Sequence, residues 1–322
     1  MHYQYPLTDE DINQFLNEPV HHGTFNKVHK HIRKAYKSFG RRPMSCYVTG
    51  NSGVGKTMLA KAAERKILES TPPCQDAEIT LVIRVTLKDG ALPDDVRKDL
   101  LKKLNVDFSG YAGRNLKELL EKQLKVCGVR LVIFDEFQHL LRRYDKEVNK
   151  KACEFIKTFI DETQIPVVLL GNPKGKKLFE LYDELRTRFI EAGELLLMSC
   201  ENENSFEYFR FFIKNLMTRF PLETIDMSTD ENIQRLMLAT GGNLRTLEYI
   251  LSDVLATNRN GNKILKLEDY QEAYEFNRKQ ELRRVKGKGT RVVKPFQDEP
   301  NVIRKDLIHF QKAGFKNARF SN

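Results

Sequence analysis

One short stretch of the chain combines glycines, a lysine and a hydroxyl side chain at a spacing suited to binding phosphate. It follows four strand-like residues and precedes a helix-like segment. The glycines let the backbone turn tightly enough to aim successive N–H groups at phosphate oxygens, and the helix adds the positive end of its dipole. The stretch predicts a nucleoside triphosphate site; the alternative is a glycine-rich turn without a ligand. Its residues are Gly50, Asn51, Ser52, Gly53, Val54, Gly55, Lys56 and Thr57, followed by Met58.

Two of these side chains have distinct predicted roles. Lys56 should reach the β- and γ-phosphates, and the Thr57 hydroxyl should bind Mg²⁺. We therefore expect ATP and Mg²⁺ as cofactors, with the backbone from Gly50 to Met58 enclosing the nucleotide.

A second stretch, Leu131–Glu136, places two carboxylates at the end of four apolar residues. This pattern is typical of a Walker B strand. A buried strand would deliver Asp135 to Mg²⁺, and Glu136 would orient or deprotonate the attacking water. The alternative is a strand that ends in an acidic turn.

Four further polar residues occupy positions where they could act on phosphate. Asn172 ends another apolar strand and is predicted to contact the γ-phosphate or the water, although it could equally cap a turn. Arg188 is the favoured arginine to act on a neighbouring subunit's nucleotide, with Arg186 as the second choice and a surface salt bridge as the alternative. Arg245, at the start of a later helix, is predicted to reach the phosphates in cis; structural pairing is its alternative.

Strand-like and helix-like segments alternate as far as about residue 200, and the sequence is helical beyond it. Alternation of this kind predicts a parallel α/β sheet covered by helices on both faces, followed by a small all-helical lid domain. The expected division is 1–40 for an irregular arm and an amphipathic helix, 41–200 for the nucleotide-binding domain, 201–282 for the lid and 283–322 for a basic tail. A short strand is expected at 195–198.

The composition points to a polyanionic partner. The 322 residues carry a net charge of +10, and the segment 283–322 alone holds 11 Lys and Arg against 3 acidic residues. The apolar groups of 302–320 predict a short helix that docks on a partner. The scattered cysteines, the absence of a signal-like beginning and the lack of a long apolar run favour the cytoplasm and no membrane association.

The segment 25–39 shows apolar residues at steps of three and four, which predicts an amphipathic helix. Its other face is basic, and that face could contact DNA or simply be solvated. The basic residues are Lys27, Lys30, His31, Arg33, Lys34 and Lys37.

Taken together, these motifs resemble those of AAA+ ATPases over roughly residues 25–280. More closely, Leu169–Asn172, Leu178–Leu181 and Arg186–Phe189 resemble the TniB and TnsC regulators of transposition. The resemblance implies an AAA+ fold, ATP hydrolysis, and rings or helical filaments of six or seven subunits per turn around double-stranded DNA. It also implies a transposase and a TniQ-type target selector as partners, and disassembly after hydrolysis.

The same resemblance places DNA contacts between the second strand and the Walker B strand. The matching region offers Lys102, Lys103, Arg114 and Lys117. Two alternatives remain beside transposition: a replication initiator or helicase loader, and a nucleotide-gated DNA-binding scaffold with negligible hydrolysis.

Overall fold

The computed structural model describes residues 5–70, 79–141, 145–277, 284–285 and 291–312. Its helices are α1 (Asp9–Asn17), α2 (Gly23–Lys37), α3 (Lys56–Glu69), α4 (Pro93–Lys103), α5 (Gly113–Val126), α6 (Lys146–Thr163), α7 (Lys177–Leu181), α8 (Asp183–Arg186), α9 (Glu203–Met217), α10 (Asp230–Thr240), α11 (Leu244–Thr257), α12 (Leu267–Asn277) and α13 (Pro300–Lys312). Its strands are β1 (Ser45–Gly50), β2 (Val82–Thr86), β3 (Leu131–Asp135), β4 (Val167–Gly171), β5 (Phe189–Leu195), β6 (Arg284–Val285) and β7 (Arg291–Val292). The chain forms two compact units, His21–Leu196 and Met1–Val20 with Leu197–Asn322.

The first unit contains a five-stranded sheet in the order β2-β3-β4-β1-β5, with every neighbouring pair parallel. Successive side chains of a strand point to opposite faces. In β3, Val132 and Phe134 enter the core shared with α4, α5 and α6, whereas Leu131 and Ile133 enter the core shared with α2 and α3. The sheet is therefore covered by helices on both faces, as the alternation of segments predicts.

The strand order decides which residues meet at the carboxyl edge of the sheet. Strands β3, β4 and β1 are consecutive, with β4 in the middle. The carboxyl ends of parallel strands lie at one edge, so the chain segments that follow Gly50, Asp135 and Gly171 are neighbours there. This edge holds the phosphate-binding stretch and both acidic residues.

The last strand of the sheet differs from expectation. It spans Phe189–Leu195, whereas a short strand was expected at 195–198. Phe189, Ala192 and Leu195 are buried while the residues between them are exposed or half-buried, and the register against β1 shifts at Ala192. That irregular spacing hides the alternation on which recognition of a strand depends.

The second unit is mainly helical and buries its own core between α1 and the helices α9 to α12. Helix α1 corrects the expectation of an irregular arm. Thr8 and Asp11 form a capping box, and Ile12 and Phe15 are buried in this core. A capped helix of nine residues carries only two buried side chains, which is too short a pattern to stand out in the sequence.

Part of the basic tail packs inside this second unit. Phe296 is 2% exposed and contacts the rings of Tyr270 and Tyr274, and its N–H donates to Gln271 Oε1 at 3.0 Å. In α13, the apolar residues Ile303, Leu307 and Phe310 are buried. These residues cover the chain's own core and are not available to a partner; Phe315 and Phe320 lie outside the described residues.

The remaining expectations concern cysteines and membranes. Cys46, Cys127, Cys153 and Cys200 are free thiols, and Cys74 lies outside the described residues. None of the helices in the described ranges is both long and apolar enough to cross a bilayer.

Candidate functional site

The predicted phosphate-binding stretch forms a tight loop between β1 and α3. Gly53 and Gly55 adopt φ values of 79° and 91°, a region that side-chain-bearing residues rarely enter. A Cβ on Gly50 would lie 2.5 Å from the Leu195 carbonyl oxygen. Glycine is therefore required at these positions, which lie between the end of β1 and the start of α3.

The ammonium group of Lys56 is hydrogen-bonded to the backbone of this loop. Lys56 is 6% exposed, and its Nζ donates hydrogen bonds to the carbonyl oxygens of Gly50 at 2.8 Å and Asn51 at 2.9 Å. A buried ammonium needs such partners, since burial of an uncompensated charge is costly. The hydrogen bonds hold the positive charge of Lys56 beside the loop, and an anion bound to the loop would neutralise that charge.

Thr57 and Asp135 meet at the carboxyl edge of the sheet although 78 residues separate them. The Thr57 hydroxyl donates to Asp135 Oδ2 at 3.1 Å. Asp135 is 3% exposed, and burial, followed by the nearby charge of Glu136, raises the pKa of its carboxyl. The charged form is thus disfavoured where two acidic residues adjoin, and a bound cation would stabilise it.

These two oxygen-bearing side chains fit a magnesium ion. Mg²⁺ is bound through one or two protein oxygens together with substrate phosphates and water, so a dedicated cage is not needed. Accordingly, the described residues contain no group of three or more His, Cys, Asp or Glu side chains arranged for a metal. Thr57 and Asp135 would supply the protein oxygens.

Glu136 follows Asp135 in an unusual conformation. Its backbone has φ 58° and ψ 41°, and its N–H donates to Asp135 Oδ1 at 2.9 Å. A left-handed conformation in a residue with a side chain carries strain that the surroundings must compensate. The Asp135 carboxylate thus fixes the backbone N–H of Glu136 at the strand end.

Gln138 is a site residue that the sequence analysis missed. Its Nε2 donates to Glu136 Oε2, while its Oε1 accepts from the backbone N–H of Asn172 at 2.9 Å. One side chain therefore links the second acidic residue to the end of β4. The sequence offered one sign of this role: Gln138 is a polar residue two positions after Glu136. A second sign is the glycine, Gly171, at the end of the neighbouring strand, which leaves room for the Gln138 side chain.

Phe137 packs between these two strand ends. A Cβ on Gly171 would lie 2.4 Å from Gln138 Oε1 and 2.6 Å from the Phe137 ring, and one on Gly175 would lie 2.5 Å from the same ring. Both glycines are needed because the segment after β3 packs directly on the segment after β4. This close packing fixes the position of Gln138.

Asn172 lies at the expected edge, but its side chain caps a turn. Its Oδ1 accepts from the Lys174 N–H at 3.0 Å, at the start of the 3-10 turn Pro173–Lys176. The residue is half-buried. Its placement is compatible with both roles considered for it, since the amide nitrogen is not used in the cap.

The two candidate arginines differ in their partners. Arg188 forms a bidentate ion pair with Asp161: its Nε donates to Oδ1 at 3.1 Å and a terminal nitrogen donates to Oδ2 at 2.8 Å. Its other terminal nitrogen donates to the Glu184 carbonyl oxygen. Arg186 has a side chain that is 70% exposed and a single pair with Asp183 at 3.2 Å. Arg188 is thus held within its own subunit, whereas Arg186 extends into solvent.

Arg245 lies in the other compact unit, in the first turn of α11, and is exposed. Its backbone N–H donates to the Asn243 side chain, which caps this helix, at 3.0 Å. The helix start follows Gly241 and Gly242, both with positive φ, as the sequence pattern suggests.

Three of the four expected DNA contacts are engaged with carboxylates on the same surface. Lys102 pairs with Asp99 at 3.2 Å, Arg114 with Glu118 at 2.9 Å, and Lys117 with Glu162 at 2.6 Å. Lys103 is exposed and forms no ion pair with the described residues. The region between β2 and β3 therefore presents mixed charge.

Comparison with protein families gives one match. A model of the family described as bacterial TniB protein matches residues 15–194, which is 180 of the 322 residues. The match includes the loop, both acidic residues and Asn172, and it ends close to the end of the first compact unit. A search of curated proteins finds no match.

Solved structures with the same fold include two from Aeropyrum pernix: the ORC1 protein in complex with DNA, at 15% identity and TM-score 0.55, and the ORC2 protein in ADPNP-ADP complexes, at 13% and 0.55. The chain aligns over 80% and 79% of its own length and spans 65% and 66% of theirs. Cdc6p from Pyrobaculum aerophilum matches at 10% identity and TM-score 0.54, over 91% of this chain and 97% of that one. These likenesses show that the fold is that of AAA+ ATPases.

Proposed function

The chain belongs to the TniB family, and on this premise we propose that it is an ATP-hydrolysing AAA+ regulator of DNA transposition that assembles on duplex target DNA. The observation that carries the proposal is the meeting of Lys56, Thr57, Asp135 and Glu136 at one edge of the sheet within the matched region. Those side chains supply what hydrolysis of the β–γ phosphoanhydride of ATP requires: a cation for the phosphates, oxygens for Mg²⁺ and a carboxylate for water.

Each residue of the site has a proposed task. Gly50 to Met58 enclose the phosphates of ATP, Lys56 binds the β- and γ-phosphates, and Thr57 and Asp135 hold Mg²⁺. When bound, Mg²⁺ neutralises charge on the transferring phosphoryl group. Glu136 orients the attacking water and takes its proton.

The rest of the phosphate environment comes from other elements and another subunit. Asn172 offers its amide nitrogen to the γ-phosphate, and Arg245 of the lid domain, proposed as 201–282, reaches the phosphates in cis. An arginine of the neighbouring subunit, Arg186 or Arg188, completes the site. ATP would then favour assembly, because a ligand that binds only the assembled state stabilises that state.

The proposed cycle joins assembly to transposition. The ATP-bound chain forms a ring or filament on double-stranded DNA in the cytoplasm, receives a target through a TniQ-type selector and recruits the transposase. Hydrolysis releases the assembly. Contacts with phosphate groups would make DNA binding insensitive to sequence and sensitive to salt.

The assembly step can be tested with the full chain and a mixed-sequence duplex at low salt. We expect sedimentation or electron microscopy to detect oligomers on DNA with ATP and Mg²⁺. Lys56→Ala should remove them, because the phosphates lose their main cationic partner. Absence of ATP-dependent assembly by the intact chain would contradict the proposal.

The chemical step needs its own variant. Glu136→Gln should retain ATP-dependent assembly while lowering the hydrolysis rate by about 10²-fold or more, since a general base contributes on that order. Glu147→Gln, an exposed change on α6, is the matched control and should hydrolyse ATP normally. Equal turnover by the intact chain and Glu136→Gln would show that Glu136 does not do the chemistry, and negligible turnover by both would favour a nucleotide-gated scaffold.

A further inference from the structure

Helix α2 carries charge of one sign. Its fifteen residues include five Lys and Arg and no Asp or Glu, and two more exposed arginines follow it. The helix contributes Lys27, Lys30, Arg33, Lys34 and Lys37, and the following segment contributes Arg41 and Arg42. We call these seven residues the α2 basic face.

The lysines form one row along the helix. At 100° and 1.5 Å per residue, Lys27, Lys30, Lys34 and Lys37 fall within about 80° around the axis and span about 15 Å along it. All four are exposed. The opposite side of the helix packs on the sheet through Val28 and Ile32, both 0% exposed, so the orientation of the row is fixed.

The row is not neutralised within the chain. None of the described carboxylates lies within ion-pair distance of any residue of the α2 basic face, whereas Lys102, Arg114 and Lys117 each have such a partner. Like charges one helical turn apart repel each other and destabilise a helix. A polyanionic ligand along the row would remove this repulsion.

The ligand that fits is a row of phosphates and not a membrane. Insertion of an amphipathic helix into lipid uses its apolar face, and that face is buried here beneath the cations. Each strand of a duplex advances about 3.4 Å along the axis per phosphate while it winds around that axis, so a straight row of cations about 15 Å long can lie beside a few consecutive phosphates. The lysine row therefore has the length and charge to follow one strand.

We propose that the α2 basic face holds the phosphate backbone of duplex DNA. The identity of the polyanion rests on the proposed function, while the existence of an unneutralised basic surface does not. The contact is independent of sequence, because lysine ammonium groups bind phosphates without reading base edges.

The test compares two variants with equal change of charge. One replaces Lys27, Lys30, Lys34 and Lys37 by Gln; the matched control replaces Lys102, Lys103, Arg114 and Lys117 by Gln. Duplex affinity is measured against salt concentration with two unrelated sequences, and nucleotide binding and circular dichroism verify folding. The first variant should lose about tenfold or more in affinity for both sequences, and the slope of log K against log salt should become less negative by about 3 to 4. The control should lose markedly less.

Several outcomes would overturn the proposal: losses confined to the control, equal losses by both variants, no DNA binding by the intact chain, or equally tight binding of the intact chain to phosphatidylserine vesicles. If the first variant does not fold, Lys30→Gln with Lys34→Gln should still reduce the slope by about 2. DNA binding that is independent of ATP but lost in the lysine variant would support the α2 basic face and contradict the ATP-dependent assembly of the proposed function.

Discussion

At the scale of single residues, the unexpected feature is the link from Glu136 through Gln138 to the backbone of Asn172. The Glu136 carboxylate belongs to a residue whose backbone lies in the left-handed region. Gln138 occupies one of its oxygens and is itself held by the packing of Phe137 against Gly171. Gln138 is thus a positioning residue for the proposed general base.

This role predicts a specific kinetic effect. Gln138→Met preserves size and removes both polar contacts, so kcat for ATP hydrolysis should fall about 10- to 100-fold because the base is misplaced. The KM for ATP should change less than about twofold, since Gln138 contacts the backbone N–H of Asn172 and not the side-chain amide that is proposed to bind phosphate. Steady-state kinetics and a thermal denaturation curve measure the two effects. A lower melting temperature with unchanged kcat would mean that Gln138 is only structural.

At the scale of elements, the start of α2 depends on a histidine. His22 precedes the helix, and its ring accepts a hydrogen bond from the Phe25 N–H at 3.5 Å. Burial, and then the proximity of His21, lower the pKa of His22 to about 4. Protonation would remove the acceptor and place a positive charge at the positive end of the helix dipole.

Stability should therefore fall in acid. The unfolded chain binds this proton near pH 6.5 and the folded chain only near pH 4, so the loss begins below pH 6.5 and is complete near pH 4. At pH 5 it amounts to about 2 kcal/mol. His22→Asn retains a good cap without a titrating ring. Urea unfolding at pH 7 and pH 5 should show a smaller loss for this variant than for the intact chain.

A matched control separates this effect from general acid sensitivity. His31→Asn changes another histidine of the same helix and should retain the full loss between pH 7 and pH 5. His29, whose pKa burial also lowers, contributes equally to all three proteins. Identical pH dependence in His22→Asn and the intact chain would contradict the assignment.

The basic tail illustrates how an element acquires its role from packing. Arg235 is buried and donates to the carbonyl oxygens of Pro295 at 2.9 Å and Asp298 at 2.8 Å, which anchors the segment that carries Phe296. The positive net charge of the tail is typical of an exposed segment. The burial of a few apolar side chains, together with hydrogen bonds to their backbone, nevertheless holds the described part of the tail against the second unit. The described part of the tail is a component of the second unit.

At the scale of the whole molecule, the proposed site is shared between subunits. Arg188 must leave Asp161 and the Glu184 carbonyl to act on a neighbour. Among the described residues Arg186 has only an exposed ion pair with Asp183, and such pairs contribute little. We therefore propose Arg186 as the residue offered to the neighbouring subunit, with Arg188 bracing the segment that presents it.

Mixing two inactive variants tests an arginine in trans. Arg186→Ala binds ATP but should hydrolyse it about 10³-fold more slowly, the lower range for such an arginine. Glu136→Gln retains ATP-dependent assembly and lacks its own general base, but it still offers its arginine. Mixtures on DNA should recover part of the ATPase rate, because the intact arginine of one subunit serves the nucleotide of the other.

The companion variant identifies the residue. Arg188→Ala should mainly lower the melting temperature, since Asp161 loses both hydrogen bonds. If Arg188→Ala shows the large loss of rate and the recovery on mixing, and Arg186→Ala does not, the roles of the two arginines are exchanged. No recovery for either arginine variant would contradict action in trans.

The sequence by itself determined the features that depend on near neighbours in the chain. The spacing of Gly50 to Thr57, the apolar run ending in Asp135 and Glu136, and the alternation of strands and helices follow from backbone geometry and local burial. They predicted the fold, and the family match supports the same assignment.

Only the tertiary structure decided which distant groups are partners. Gln138 lies 34 residues from Asn172, Arg188 lies 27 from Asp161, and Phe296 meets Gln271 across a segment outside the described residues. The tertiary structure also showed that cations of α4 and α5 have carboxylate partners, whereas those of the α2 basic face have none among the described residues. Such pairings depend on strand order and helix packing, because a side chain's charge is read from the sequence but its neighbours are not.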